Sequence, residues 1–186
     1  MAEALTPSLF EDKSAKPLAE RMRPMRLDDV AGQDHLLGPD GRLNRMLDAA
    51  DGSGSLPSLI LWGPPGTGKT TIARLLAARV GLAFEPVSAV FDGVAELRRV
   101  FTRADERRRM GERTLLFVDE VHRFNKAQQD GLLPHVEDGR VTLVGATTEN
   151  PSFALNGALL SRCQVLVLNR LDEAALEKLC LLYTSD

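Results

Sequence analysis

The stretch GPPGTGKTT at residues 63–71 sets glycine, lysine and threonine at the spacing G-x-x-x-x-G-K-[ST]. Those residue types in that order suit one task, holding a chain of phosphates. Gly66 and Gly68 let successive backbone N–H groups curl around anionic oxygens, and a helix opening behind them adds the partial positive charge of its N-terminus. Gly63, Pro64, Pro65 and Thr67 complete the loop. Lys69 is expected to reach the β- and γ-phosphates, Thr70 to offer its hydroxyl to Mg²⁺, and Thr71 to meet a further phosphate oxygen. Trp62, just before the loop, reads as a core aromatic rather than a platform for a base.

A second group of candidates closes the run TLLFVDE, residues 114–120. An apolar strand ending in two acids delivers carboxylates to a sheet's C-terminal edge, where open α/β sheets bind ligands. Asp119 suits holding Mg²⁺ through its water shell, and Glu120 suits polarising a water for attack on the γ-phosphate. The plainer reading of the pair is an acidic cap on the next helix; the phosphate loop upstream weighs against it. A water-polarising glutamate also favours hydrolysis over transfer to a small molecule, because water would compete with that acceptor. A third cluster, GATTENP at 145–151, offers Thr148 as a contact for the γ-phosphate or the attacking water, or else as part of a turn before Pro151.

These residues need elements to carry them. Five apolar runs, 58–62, 83–87, 114–119, 141–146 and 164–168, have the length and composition of buried strands. Helical patterns lie between them and stop at Gly81, Gly111 and Gly139, where a helix C-cap favours glycine. Gly131 and Pro134 predict a break or kink in the third of these. Strands alternating with such helices predict an α/β fold with a five-stranded, mostly parallel sheet covered on both faces. Residues 1–17 mix Ser, Pro, Lys and acids without periodicity and read as a tail, in which SLF at 8–10 is either a short docking peptide or loosely packed chain.

The 186 residues suffice for one such domain, and 44% hydrophobic with 26% charged residues excludes both disorder and membrane residence as readings. A net charge of −3 argues against a generally basic surface for nucleic acid, so any DNA contact needs a local patch or an assembled ring. Cys163 and Cys180 fit no disulfide or zinc spacing, and no apolar run approaches the roughly 18 residues of a membrane span. A cytoplasmic protein is the expectation, nucleoid-associated if it works on DNA.

With these residues assembled, the chain resembles the AAA+ ATPases, P-loop NTPases with a three-layer sandwich core. Within them it is similar to the family of bacterial replication-associated recombination proteins and Werner-interacting ATPases. The resemblance rests on RPMRLDDVAGQDHLLG (23–38), LILWGPPGTGKTT (59–71), LLFVDEVHRFNKAQQDGLLPHVEDG (115–139) and VTLVGATTENPSFALNGALLSR (141–162). It implies ATP and Mg²⁺ as cofactors, an ATPase core over residues 18–170, and an adenine pocket near Val30, Ala31, Gly32 and Gln33. It places Thr148 at the sensor 1 position and makes Arg162, in SRC, the arginine finger that reaches a neighbouring subunit's site. Ser88 is read either as a hydroxyl that restrains Glu120 until DNA binds or as part of a turn.

The resemblance also implies a tetramer that hydrolyses ATP in a DNA-dependent way at stalled or gapped replication forks, with single-strand-binding protein as a partner. The local candidate for DNA is RRVFTRADERRRMGER, which holds seven arginines between 98 and 113; three acids among them make ion pairing on a helix face the competing reading. Residues 171–186 read as the start of a lid helix followed by CLLYTSD, which departs from the family, so truncation or a sequence artefact is expected there and the chain alone is expected to turn over slowly. A clamp-loader-type subunit, a nucleotide-gated binding module without turnover and a small-molecule phosphotransferase are the alternatives.

Overall fold

The computed structural model describes residues 23–53 and 55–184, so the tail at 1–17 and its SLF segment lie outside the described residues. A 3₁₀ turn, Leu27–Asp29, leads into α1 (Asp34–Leu37) and α2 (Arg42–Ser53). Then follow β1 (Leu59–Trp62), α3 (Lys69–Arg79), β2 (Ala83–Ser88), α4 (Val94–Arg109) and β3 (Thr114–Asp119). A second 3₁₀ turn, Val121–Arg123, precedes α5 (Lys126–Glu137), β4 (Val141–Thr147), α6 (Pro151–Ala154), α7 (Gly157–Leu160), β5 (Gln164–Val167) and α8 (Glu173–Thr184).

The strands form one sheet in the order β2-β3-β4-β1-β5, and every pairing is parallel. Period-two alternation divides the side chains between two cores, as a doubly covered sheet requires. Leu59, Leu61, Leu115, Phe117, Val144 and Ala146 pack against α1, α2 and α3, whereas Ile60, Leu116, Val118 and Leu143 pack against α4, α5 and α7. Ile72, Leu76, Val100, Leu132 and Leu159 supply the helical half of these contacts and are sealed from solvent.

One expectation about the elements is corrected. The predicted break in α5 does not occur: the helix runs from Lys126 to Glu137 through Gly131 and Pro134. Its N-terminus is held by a capping box in which Gln128 N–H donates to Asn125 Oδ1 and Asn125 N–H donates to Gln128 Oε1, both at 2.9 Å. Buried Leu132 pins the middle, so the one bond that Pro134 forfeits in the last turn is tolerated. The helix expected to begin within 171–186 is α8, Glu173–Thr184, which takes in most of the CLLYTSD stretch.

Parallel pairing puts the C-terminal ends of all five strands along one edge of the sheet. That edge carries Trp62, Ser88, Asp119, Thr147 and Val167. Register fixes their neighbours: Trp62 faces Thr147, and Ser88 faces Asp119.

Candidate active site

The loop from Gly63 to Gly68 joins β1 to α3 at that edge. Gly66 and Gly68 take φ of 76° and 90°, a left-handed conformation that L side chains resist, and a Cβ on either would meet nothing within 4 Å. The loop therefore presents bare backbone to an open hollow. Lys69 heads α3 and is 8% exposed, and its Nζ donates to the carbonyls of Gly63 and Pro64 at 2.7 Å each. Thr67 Oγ1 donates to Pro64 O at 2.9 Å, and Gly63 N–H donates to Thr147 O at 3.2 Å, which ties the loop to the end of β4. Burial holds the Lys69 ammonium below the ordinary lysine range, opposed by the nearby carboxylates of Glu120 and Asp119. A half-desolvated cation facing two acids can exchange its carbonyl partners for phosphate oxygens at little further desolvation cost.

Asp119 ends β3, and its Oδ1 accepts from the Glu120 N–H at 3.1 Å. Glu120 then turns left-handed, at φ 53° and ψ 45°, and is the one non-glycine residue with positive φ among the described residues. That conformation costs on the order of 1–3 kcal/mol and clusters at functional sites. Thr148 follows fully buried Thr147 and is half-buried, and its hydroxyl takes no hydrogen bond among the described residues. Thr70 and Thr71 are half-buried in the first turn of α3. Trp62 is half-buried at the end of β1.

A cavity of about 470 Å³ opens from the loop, within the range usual for small-ligand sites. Gly66, Thr67, Gly68 and Thr71 of the loop and the first turn of α3 line it, together with Arg23, Pro24 and the apolar Val30, Ala31, Leu171 and Leu179. A polyphosphate against the loop and a flat apolar ring against the apolar residues fit this lining. Among the described residues, no group of three or more His, Cys, Asp or Glu could cage a metal. The Asp119 carboxylate and the Thr70 hydroxyl are hard oxygen donors, a chemistry that fits Mg²⁺ when phosphates and water complete its shell.

Gln33 is placed differently from its neighbours Val30 and Ala31. It is fully buried, its Nε2 donates to Asn169 O at 2.8 Å, and its Oε1 accepts from Asn169 N–H at 3.0 Å. Its amide clamps the connection after β5 to the start of the fold, and it does not line the cavity. Ser88 also makes no hydrogen bond to Glu120 among the described residues: its Oγ accepts from Val90 N–H at 3.3 Å, the turn arrangement.

Arg162 lies between α7 and β5, at the N-terminal edge of the sheet. The length of β5, about 10 Å or more, separates it from the phosphate loop of its own chain. Its Nη1 donates to Ala158 O at 2.8 Å, and its Nη2 pairs with Glu137. The α4 arginines are partly committed elsewhere: Arg103 and Arg107 grip Glu85, and Arg99 pairs with Glu96.

Three contributors escaped sequence reasoning. Leu171 and Leu179 reach the cavity because α8 folds back on Gly32, where a Cβ would stand 2.7 Å from Leu171 Cδ2. His122, in the motif DEVHRF, lies beside Glu120; a histidine two residues beyond a candidate general base was the available signal.

The profile of the ATPase family associated with various cellular activities (AAA) matches residues 59–171. The chain belongs to this AAA family. Among curated AAA relatives, the replication-associated recombination protein A of Escherichia coli K12 is 53% identical over 169 residues, which cover 91% of this chain and 37% of that protein. The ATPase WRNIP1 of Dictyostelium discoideum is 47% identical over 91% of this chain and 19% of its own length. The chain thus spans little more than a third of the bacterial relative. The solved RuvB Holliday junction branch migration motor of Thermotoga maritima superposes with a TM-score of 0.72 at 33% identity, covering 85% of this chain and 52% of that one. The all-parallel sheet, the helices on both faces and the glycine loop give the chain the AAA+ P-loop fold.

Proposed function

We propose that this chain is the ATPase core of a DNA-dependent replication and recombination protein that binds Mg·ATP and hydrolyses it at sites shared between subunits. The approach of Asp119 and Glu120 to Lys69, beside a glycine loop that lines a cavity with apolar residues, carries the reading. The backbone from Gly63 to Gly68 and Lys69 hold the phosphates, Thr71 adds a further contact, and Val30, Ala31 and Leu171 border the base. Thr70 and Asp119 hold Mg²⁺, which neutralises charge on the phosphates when bound. Glu120 orients and polarises the attacking water, and Thr148 contacts that water or the γ-phosphate.

Arg162 completes the site of a neighbouring subunit. Its place on the far edge of the sheet supports an action in trans, since it is remote from its own loop. A finger of this kind is typically worth 10³–10⁵ in rate, so a subunit without a neighbour turns over very slowly. The bacterial relative's name supports a place in replication and recombination, and that of WRNIP1 supports ATP hydrolysis. A tetramer, forked or gapped DNA, single-strand-binding protein and a cytoplasmic, nucleoid-associated location extend the same reading. No helix among the described residues is long and apolar enough to cross a membrane.

The test is ATP hydrolysis by the intact protein with and without forked DNA. DNA-stimulated phosphate release that disappears in Lys69→Ala supports the reading. Turnover indifferent to that substitution sinks it.

A further inference from the structure

The imidazole of His122 is nearly sealed, with its side chain 4% exposed, and its two nitrogens meet different groups. Nδ1 lies 2.9 Å from Thr147 Oγ1. Nε2 lies 3.2 Å from Glu120 Oε2 and 3.6 Å from Glu149 Oε1. The Thr147 hydroxyl accepts from the Glu149 N–H at 3.0 Å and has one proton to give. Two acceptors compete for it, His122 Nδ1 at 2.9 Å and the Glu149 carbonyl at 3.3 Å. The shorter contact assigns the proton to Nδ1. A neutral ring then carries its own hydrogen on Nε2, facing the Glu120 carboxylate.

We propose that His122 is the positioning residue for Glu120, and that Thr147 sets its orientation from the end of β4. The proposal rests on the ATPase reading above, in which Glu120 polarises water. The Nε2–H holds Glu120 Oε2, while Oε1 has no hydrogen-bond partner among the described residues and is left to accept from the water. A third of the Glu120 side chain is exposed and its backbone is left-handed, so without the ring the carboxylate is free to turn to solvent. Glu149 is 60% exposed and further away, which makes it the weaker claimant on the same proton. The 3₁₀ turn Val121–Arg123 brings the ring back against β4, so the strand that delivers Thr148 also sets Glu120.

The test compares His122→Ala, His122→Gln, Thr147→Val and Glu120→Gln in the intact protein, reading kcat, the dissociation constant for ATP and the ring ¹⁵N spectrum of His122. His122→Ala is expected to lower kcat by about 10- to 100-fold while ATP affinity holds. His122→Gln, whose amide nitrogen can still donate, recovers part of that loss, and Thr147→Val shifts kcat in the same direction as His122→Ala. The wild-type spectrum is expected to place the ring proton on Nε2 and to change in Glu120→Gln. If His122→Ala keeps wild-type kcat while Glu120→Gln loses turnover, the positioning role is overturned and the ATPase reading stands. Undiminished turnover in Glu120→Gln overturns both. Should His122→Ala fail to fold, the spectrum decides, because a proton on Nδ1 contradicts the assignment.

Discussion

The guanidinium of Arg162 rests on the carboxylate of Glu137, at the sheet edge opposite the one that carries Lys69. The same chain thus presents a phosphate site on one edge and a charged arm on the other. Under the proposed action in trans, two such chains stacked head to tail would bring one subunit's arm toward the other's site, a heterologous contact of the kind that forms a ring when its rotation closes.

This geometry predicts complementation. Arg162→Ala and Glu120→Gln subunits of the intact protein should each be nearly inactive alone, because removing a finger costs about 10³–10⁵ in rate. Mixed, they form some sites with Glu120 from one subunit and Arg162 from the other. Phosphate release by the mixture should exceed the sum of the separate proteins; strictly additive rates speak against action in trans.

Both partners of the Arg162–Glu137 pair are partly exposed, at 39% and 47%. Glu137→Gln is therefore expected to change unfolding free energy by less than about 1 kcal/mol. Denaturant unfolding at neutral pH measures this. A larger loss would mean that the pair is structural and that Arg162 is not easily released to a neighbour.

Glu85 on β2 behaves differently. Its carboxylate accepts from Arg103 Nε at 3.0 Å and Nη2 at 2.8 Å and pairs with Arg107 at 2.6 Å, with only 10% of its side chain exposed. These bonds, that from Arg103 foremost, hold its carboxyl below the ordinary glutamate range. The folded state therefore binds its proton less readily than the unfolded chain. Its contribution is complete above the unfolded glutamate value, near about 4.3, and is lost as pH falls through the lower folded value. Glu85→Gln should cost about 2 kcal/mol at neutral pH and show a shallower fall in stability below about pH 4 than wild type. Urea unfolding across that range checks both.

Leu171, packed on Gly32, supplies part of the apolar wall of the cavity. Leu171→Ser is expected to weaken ATP binding several-fold, by about 1–2 kcal/mol of lost apolar contact, while leaving pyrophosphate affinity unchanged. Calorimetric titration of the two ligands separates this from general damage, which would weaken both.

What the sequence disclosed follows from how local each signal is. The loop at 63–71, the strand-end acids and the strand alternation are local patterns, and each matches the backbone that forms. Arg99, Arg103 and Arg107 on α4 could be read either way from sequence, since the deciding partner of two of them, Glu85, lies on β2. Gln33 and Val30 share one short segment, yet only tertiary packing turns the first onto Asn169 and the second into the cavity. Pro134 looked disruptive because propensity ignores the capping box and the buried Leu132 that hold α5. Leu171 depends on how α8 returns to the site, which no spacing encodes, and the spacing of His122 from Glu120 does not reveal that its ring turns back against Thr147.

The most direct test of catalysis at this edge is a single-turnover measurement of Mg·ATP hydrolysis by the intact protein and its Glu120→Gln variant, with ATP binding followed in parallel. The account predicts retained ATP binding and a rate lowered by about 10²-fold or more in the variant. Equal rates in the two proteins would contradict it.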